Sequence, residues 1–200
     1  MSKDADLPLR YDTPIAWARA VLREPLALLN DHAHLEKKAA TNALELLSRW
    51  PEPNPPENWV TAMTAVARDE VEHLAVVSRL LARRGGRLTK SHANPYASEL
   101  HKLVRKGRGT EELIDRLMIS SLIEARSCER FDLLRQHVAD RELANFYDSL
   151  FESEARHHST YVRLAKDFAD EETVHHRLTE LAAEEARIIE QGDERPRMHS

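Results

Sequence analysis

The sequence predicts an all-α protein, a four-helix bundle with additional N- and C-terminal helices, and three observations carry that expectation. Apolar residues recur every three or four positions through four long stretches, and the period-two alternation of a half-buried strand is absent. Clusters of proline and glycine separate those stretches, at points where a helix cannot continue. Most informative is a repeated order of polar residues on the apolar stripes: Glu36 then Glu70-x-x-His73, and Glu124 then Glu154-x-x-His157. In a helical bundle this order supplies one carboxylate from each of two helices and a Glu-x-x-His pair from each of the other two, the ligand set of a carboxylate-bridged two-metal site.

Thr13-Pro14 starts a short first helix through about Glu24, because a proline at the first helical position gives up an N–H that has no helical partner there. Pro25 opens the first bundle helix, expected to run to about Trp50 with Leu29, His32, Glu36, Ala39, Ala43 and Leu47 on its inner side. Pro51-Glu52-Pro53-Asn54-Pro55-Pro56 can be neither helix nor central strand and makes a stiff turn. The second bundle helix is expected from about Glu57 to Arg84, with Met63, Val66, Glu70, His73, Val77 and Leu80 aligned, and Gly85-Gly86 ends it.

A long connection follows, within which Asn94-Pro95 starts a short helix through Lys106 and Gly107 and Gly109 release it. Such a crossover between helices two and three lets them run parallel, as a ferritin-like bundle requires. The third bundle helix spans about Thr110 to His137, with Leu113, Leu117, Glu124, Cys128 and Phe131 on one side. The fourth spans about Arg141 to Phe168, with Leu143, Tyr147, Leu150, Glu154, His157, Tyr161 and Leu164 on one side. A further helix from Glu171 to Glu190 carries Leu178, Leu181 and Ile188 and is expected to pack outside the bundle. Residues 1–192 are expected to form a single domain, and residues 193–200 a disordered tail.

Composition narrows the function classes. Leu, Ala, Glu and Arg dominate and glycine is scarce, a helix-forming balance. The single cysteine, Cys128, excludes an intrachain disulfide and fits a reducing compartment. Met1–Asp6 lacks the apolar core of a signal peptide, and no apolar run has the length of a membrane span, so a cytoplasmic protein without a membrane partner is expected. The net charge of −5 argues against a wholly basic nucleic-acid binder. One segment is different: Arg83, Arg84, Arg87, Lys90, Lys102, Arg105, Lys106 and Arg108 stand against Glu99 alone, a local balance of +7 that leaves −12 for the rest. That asymmetry allows a polyanion contact, and a solvated basic loop explains it equally well.

Residues three apart share a helix face, so Glu70 with His73, and Glu154 with His157, can each hold one ion, with Glu36 and Glu124 closing terminal positions. A single Glu-x-x-His pair is common by chance on helical surfaces. Two pairs on apolar stripes are not, because a buried, uncompensated carboxylate costs several kcal/mol. Four carboxylates and two imidazoles offset two divalent cations and suit iron or manganese better than soft-ligand metals. Glu129 is a rival to Glu124, but it falls on another face and breaks the likeness between the two helix pairs. His32, one turn before Glu36, can donate to that carboxylate or be an ordinary interior histidine. Cys128, one turn after Glu124, can line a pocket or fill the core. His34 and His158 are expected in solvent.

Four strings carry a resemblance to a known family: Asp31-His32-Ala33-His34-Leu35-Glu36-Lys37-Lys38-Ala39, Asp69-Glu70-Val71-Glu72-His73-Leu74, Leu122-Ile123-Glu124-Ala125-Arg126-Ser127-Cys128-Glu129-Arg130-Phe131 and Ser153-Glu154-Ala155-Arg156-His157-His158. Over about residues 10–170 the chain resembles the bacterial tRNA hydroxylases acting on 2-methylthio-N6-isopentenyladenosine, often called MiaE. The resemblance implies a ferritin-like fold, a non-haem di-iron centre with two iron ions, and O2-dependent hydroxylation of the isopentenyl group on the modified adenosine next to the anticodon. By position it implies Glu36, Glu70, His73, Glu124, Glu154 and His157 as the metal-binding, catalytic set. It also implies tRNA as substrate and an external electron-donating reductase as partner, since no flavin or nicotinamide fingerprint is present. The basic run from Arg83 to Arg108 is the candidate for phosphate contacts. A ferritin-like iron-oxidising or storage protein is the alternative, as is a di-iron or di-manganese enzyme with a small-molecule substrate.

Overall fold

The computed structural model describes residues 7–192 and 195–200, and every regular element among them is helical. In chain order these are α1 (Ile15–Val21), α2 (Pro25–Leu47), α3 (Glu57–Arg83), α4 (Pro95–Lys102), α5 (Thr110–His137), α6 (Arg141–Ala165) and α7 (Glu171–Gln191). The expected helices are all present, and several end earlier than expected. Helix α2 stops at Leu47, short of Trp50, because the residue before Pro51 is sterically driven out of helical conformation. Polar caps begin α4, α6 and α7: Asn94 accepts from Ala97 N, Asp140 from Glu142 N and Leu143 N, and Asp170 from Thr173 N. No helix among the described residues is long and apolar enough to cross a membrane.

The described chain groups into two compact units. The smaller runs from Arg23 to Ala93 with Pro196–Met198, and its centre is the α2–α3 hairpin. Trp59, fully buried, packs on Trp50 across the proline-rich turn with ring centroids 5.3 Å apart. Met63, Val66, Glu70, Val77 and Leu80 are buried on α3 as their spacing predicts. On α2 the stripe is rotated by one position at two places, so that Ala40 and Leu46 are buried where Ala39 and Leu47 were expected. Gly85 ends α3 at φ +82°, a left-handed conformation that favours glycine. Gly86 follows because a Cβ there would lie 2.3 Å from Leu81 Cδ1.

Two expectations fail in this unit. His34 is buried rather than solvated. Its ring stacks on His92 at 4.7 Å and its Nε2 meets Thr89 Oγ1 at 3.0 Å, while burial and the neighbouring His92 push its pKa down. The tail is not disordered where it is described. Met198 is fully buried and its N–H donates to Asp31 Oδ2 at 2.8 Å, and the other Asp31 oxygen pairs with His92 Nε2 at 2.6 Å. A backbone donor meeting a buried carboxylate outweighs the polar composition that made the tail look unstructured.

The larger unit comprises the chain up to Leu22, Asn94–Arg195 and His199–Ser200, with α5 packed by α6, α7, α1 and α4. Helix α5 is buried nearly all round, so its polar residues need partners from other elements. Asp115 takes Arg105 and Arg177, Arg126 takes Glu185, and Arg130 stacks over Trp17 at 4.3 Å and donates to the Ser200 carbonyl. The His199 ring packs on Tyr96, again against the disordered-tail expectation. Helix α7 lies on α5 and α4 through Val174, Leu178, Leu181 and Ile189, with Ile188 only half-buried.

Candidate metal centre

Each half of the expected ligand set forms within its own unit. In the smaller unit, Glu36 comes from α2, and Glu70 and His73 from one face of α3. Their ligand atoms lie within 4.8 Å of one another. His73 Nδ1 is 3.6 Å from Glu36 Oε2 and 3.7 Å from Glu70 Oε2. The two carboxylates are 4% and 1% exposed, so neither is shielded by bulk water. His32, also buried, makes a short contact from its Nε2 to Glu36 Oε1, so of its two roles the donor one is seen.

In the larger unit, Glu124 comes from α5, and Glu154 and His157 from α6. These ligand atoms too lie within 4.8 Å of one another, and His157 Nδ1 is 3.4 Å from Glu154 Oε2. All three residues are buried. Glu129, the rival to Glu124, has other partners. Glu129 accepts from Thr13 N and Thr13 Oγ1 and pairs with Arg126, so it anchors the chain before α1. Cys128 is fully buried, with its Sγ 3.6 Å from the Phe151 carbonyl. Burial pushes its thiol pKa well up, and the charges of Glu154 and Glu124 add to the shift, so it stays protonated. His158 is not free in solvent: its Nδ1 sits 2.7 Å from Ser121 Oγ, and burial lowers its pKa.

The donor sets fit first-row divalent cations. Such ions hold oxygen and nitrogen ligands at about 2.0–2.2 Å, so two ligands of one ion lie at most about 4.4 Å apart. A triad already within 4.8 Å needs only small side-chain rotations to close on an ion. Two ionised carboxylates per triad also match one divalent charge, and a buried carboxylate is far costlier without such compensation.

The basic run is divided between the two units. Arg83, Arg84, Arg87 and Lys90 belong to the smaller unit, and Lys102, Arg105, Lys106 and Arg108 to the larger. Arg105 is engaged by Asp115 through its Nε and Nη2, and Lys102 by Glu99. Arg83, Arg87, Lys90, Lys106 and Arg108 are exposed, and Arg84 is half-buried.

Sequence reasoning missed the partners of Arg126 and Asp115. A signal was present: 117–123, Leu-Met-Ile-Ser-Ser-Leu-Ile, is apolar or small on every side, which marks a helix enclosed all round and therefore charged residues paired inside.

Comparison with known proteins gives a consistent result. The sequence model of the family described as tRNA-(MS[2]IO[6]A)-hydroxylase (MiaE) matches residues 2–200. Two similar proteins are each named tRNA 2-(methylsulfanyl)-N(6)-isopentenyladenosine(37) hydroxylase. One, from Pseudomonas putida (strain KT2440), is 39% identical over 197 residues, covering 98% of this chain and 94% of that protein. The other, from Salmonella typhimurium (strain LT2), is 30% identical over 239 residues, covering 96% and 87%. A solved structure described as Protein 43 with aldehyde deformylating oxygenase activity from Synechococcus matches with a TM-score of 0.88 at 35% identity, covering 96% of this chain and 95% of that one. The expected all-α, ferritin-like class is the fold of this chain.

Proposed function

Because the chain belongs to the MiaE family of tRNA-(MS[2]IO[6]A)-hydroxylases, we propose that it is a tRNA-modifying monooxygenase. It hydroxylates the isopentenyl group of 2-methylthio-N6-isopentenyladenosine next to the anticodon, with O2 as co-substrate. The observation that carries this reading is the pair of triads, each with two buried carboxylates and one imidazole, His157 buried and His73 half-buried, in a chain of that family.

In this reading Glu36, Glu70 and His73, together with Glu124, Glu154 and His157, hold two iron ions. When bound, the iron pair supplies the oxidising power that places one oxygen atom of O2 into a C–H bond. The protein's own contribution is positional. The Glu-x-x-His spacing fixes a carboxylate and an imidazole on one helix face, so each pair presents its donors together. His32 holds the Glu36 carboxylate in one orientation, which narrows the geometries it can offer a metal. Tyr147, Leu150 and Phe131 are buried in the unit that carries Glu124 and Glu154.

Monooxygenation consumes two electrons from outside, and the sequence carries no flavin or nicotinamide motif, so a separate reductase supplies them. The substrate base lies in a single-stranded loop of the tRNA, where shape and phosphate contacts guide recognition. Of the eight basic residues in the run from Arg83 to Arg108, the exposed Arg83, Arg87, Lys90, Lys106 and Arg108 are the best placed for phosphates. A tRNA substrate sets the working compartment as the cytoplasm.

Mass spectrometry of tRNA nucleosides from cells with and without the gene tests the reading. Loss of the hydroxylated base alone, with the 2-methylthio-isopentenyl base accumulating, is the expected result. An unchanged nucleoside profile would exclude the function.

A further inference from the structure

A cleft in the larger unit lies outside the ligand triad. It has a volume of about 510 Å³ and is lined by the chain before α1, by α6 and by α7. That volume falls within the roughly 300–1,000 Å³ of ligand sites. Among the described residues no aspartate or glutamate lines it, although the chain as a whole carries a net charge of −5. Its cations are Arg10, Arg163 and Lys166, all exposed, joined by the exposed His175. Its apolar wall is Leu7, Leu9, Val162 and Leu178.

The cleft is registered to the triad by one helix. Glu154, His157, Tyr161 and Leu164 are buried along α6, whereas His158, Val162 and Lys166, at four-residue spacing, form the neighbouring stripe that opens to the cleft. His158 bonds to Ser121 of α5 and so ties this stripe to the helix that bears Glu124. A ligand held in the cleft is therefore placed at a fixed offset from His157.

The chemistry selects the ligand. Guanidinium groups bind phosphate oxygens in a two-point fashion, and an apolar wall beside them accepts a ribose or a base face. At Lys166 the ammonium already meets Glu171 at 2.5 Å, so the two arginines are the principal contacts. The space admits one or two unpaired nucleotides and not a duplex. We propose that this cleft binds the sugar–phosphate backbone of the single-stranded tRNA loop beside the modified base, through Arg10 and Arg163. The inference rests on the tRNA reading above and adds a contact surface separate from the Arg83–Arg108 run.

The test uses the full-length, iron-loaded protein with tRNA carrying 2-methylthio-N6-isopentenyladenosine. Binding is measured from low to high salt for wild type, Arg10→Ala/Arg163→Ala and Arg10→Glu/Arg163→Glu, together with KM for tRNA. The alanine pair is expected to raise Kd and KM about tenfold and to make the log–log salt slope shallower by about one to two units. The reversal pair is expected to be worse, and iron content and melting temperature should match wild type. Wild-type Kd and salt slope in both variants would overturn the proposal. So would an equal loss from Arg187→Glu, which lies on α7 outside the cleft, because that would be a net-charge effect. A raised requirement for the electron donor with tRNA affinity intact would assign the cleft to a protein partner and overturn it as well. Wild-type protein that fails to bind this tRNA at all would instead remove the functional reading, and the cleft proposal with it.

Discussion

Arg126 and Glu185 form a two-point ion pair with neither side chain exposed: Nε to Oε1 is 2.8 Å and Nη2 to Oε2 is 2.9 Å. The same guanidinium reaches Glu129, the Tyr11 carbonyl and Thr13 Oγ1, while Tyr96 OH donates to Glu185. Burial alone would lower the Arg126 pKa, but the hydrogen bonds and charge of Glu185 more than offset it and the group stays cationic. Helix α7, the chain before α1 and α4 are thus all tied to the helix that carries Glu124.

Glu185→Ala leaves the Arg126 charge buried with less compensation and is expected to cost about 3–5 kcal/mol in urea unfolding. Replacing both residues with apolar ones of similar size is expected to restore much of the loss, because two desolvated charges disappear together. A single variant as stable as wild type would show the pair to be unimportant.

Asp115 predicts an acid limit. Its side chain is fully buried, which alone would raise its pKa, but hydrogen bonds from Arg105 and Arg177 overcome this and hold it below the ordinary value. A lowered folded-state pKa means that the stabilisation is complete above the unfolded value of about 3.9 and fades as pH falls through the folded value. Asp115→Asn should therefore be less stable than wild type by a constant amount from pH 7 down to about pH 4, with the gap closing below that. A gap that widens on acidification would contradict the assignment.

Metal content separates ligands from bystanders. Glu70→Ala and His157→Ala are expected to lower bound iron from about two per chain and to abolish turnover. Glu129→Ala should retain the iron, since its carboxylate is directed at Thr13 and Arg126. Elemental analysis of folded, purified variants makes the comparison, and loss of iron in Glu129→Ala would reinstate it as a ligand.

Cys128 should resist alkylation in the native protein. Burial and the Glu154 and Glu124 charges keep its thiol protonated, and only the thiolate reacts. Iodoacetamide at pH 8 is expected to label it only once denaturant unfolds the chain. Rapid labelling of the native state would mean that the thiol is reachable.

Much of the candidate site was legible because its signals are local. The i, i+3 spacing of Glu70 with His73 and of Glu154 with His157 places both donors on one helix face whatever else the chain does. The burial of Met63, Val77, Leu117 and Tyr161 followed from the same periodicity. Helix starts were legible at Pro25 and at Asn94-Pro95, where a proline stands in the first turn.

The sequence by itself determined the helices, their apolar faces and the two Glu-x-x-His pairs, since backbone geometry over one or two turns dictates all three. The tertiary structure alone decided that Glu129 serves Thr13, 116 residues away, and that Arg126 meets Glu185 and Asp115 meets Arg177, 59 and 62 residues away. It alone buried His34 against His92 and seated Met198 on Asp31. The physical reason is the range of the interactions. Helical periodicity acts between neighbours along the chain, whereas the partner of a buried charge is whichever complementary group packing brings within about 3 Å, and one-dimensional spacing does not encode that distance.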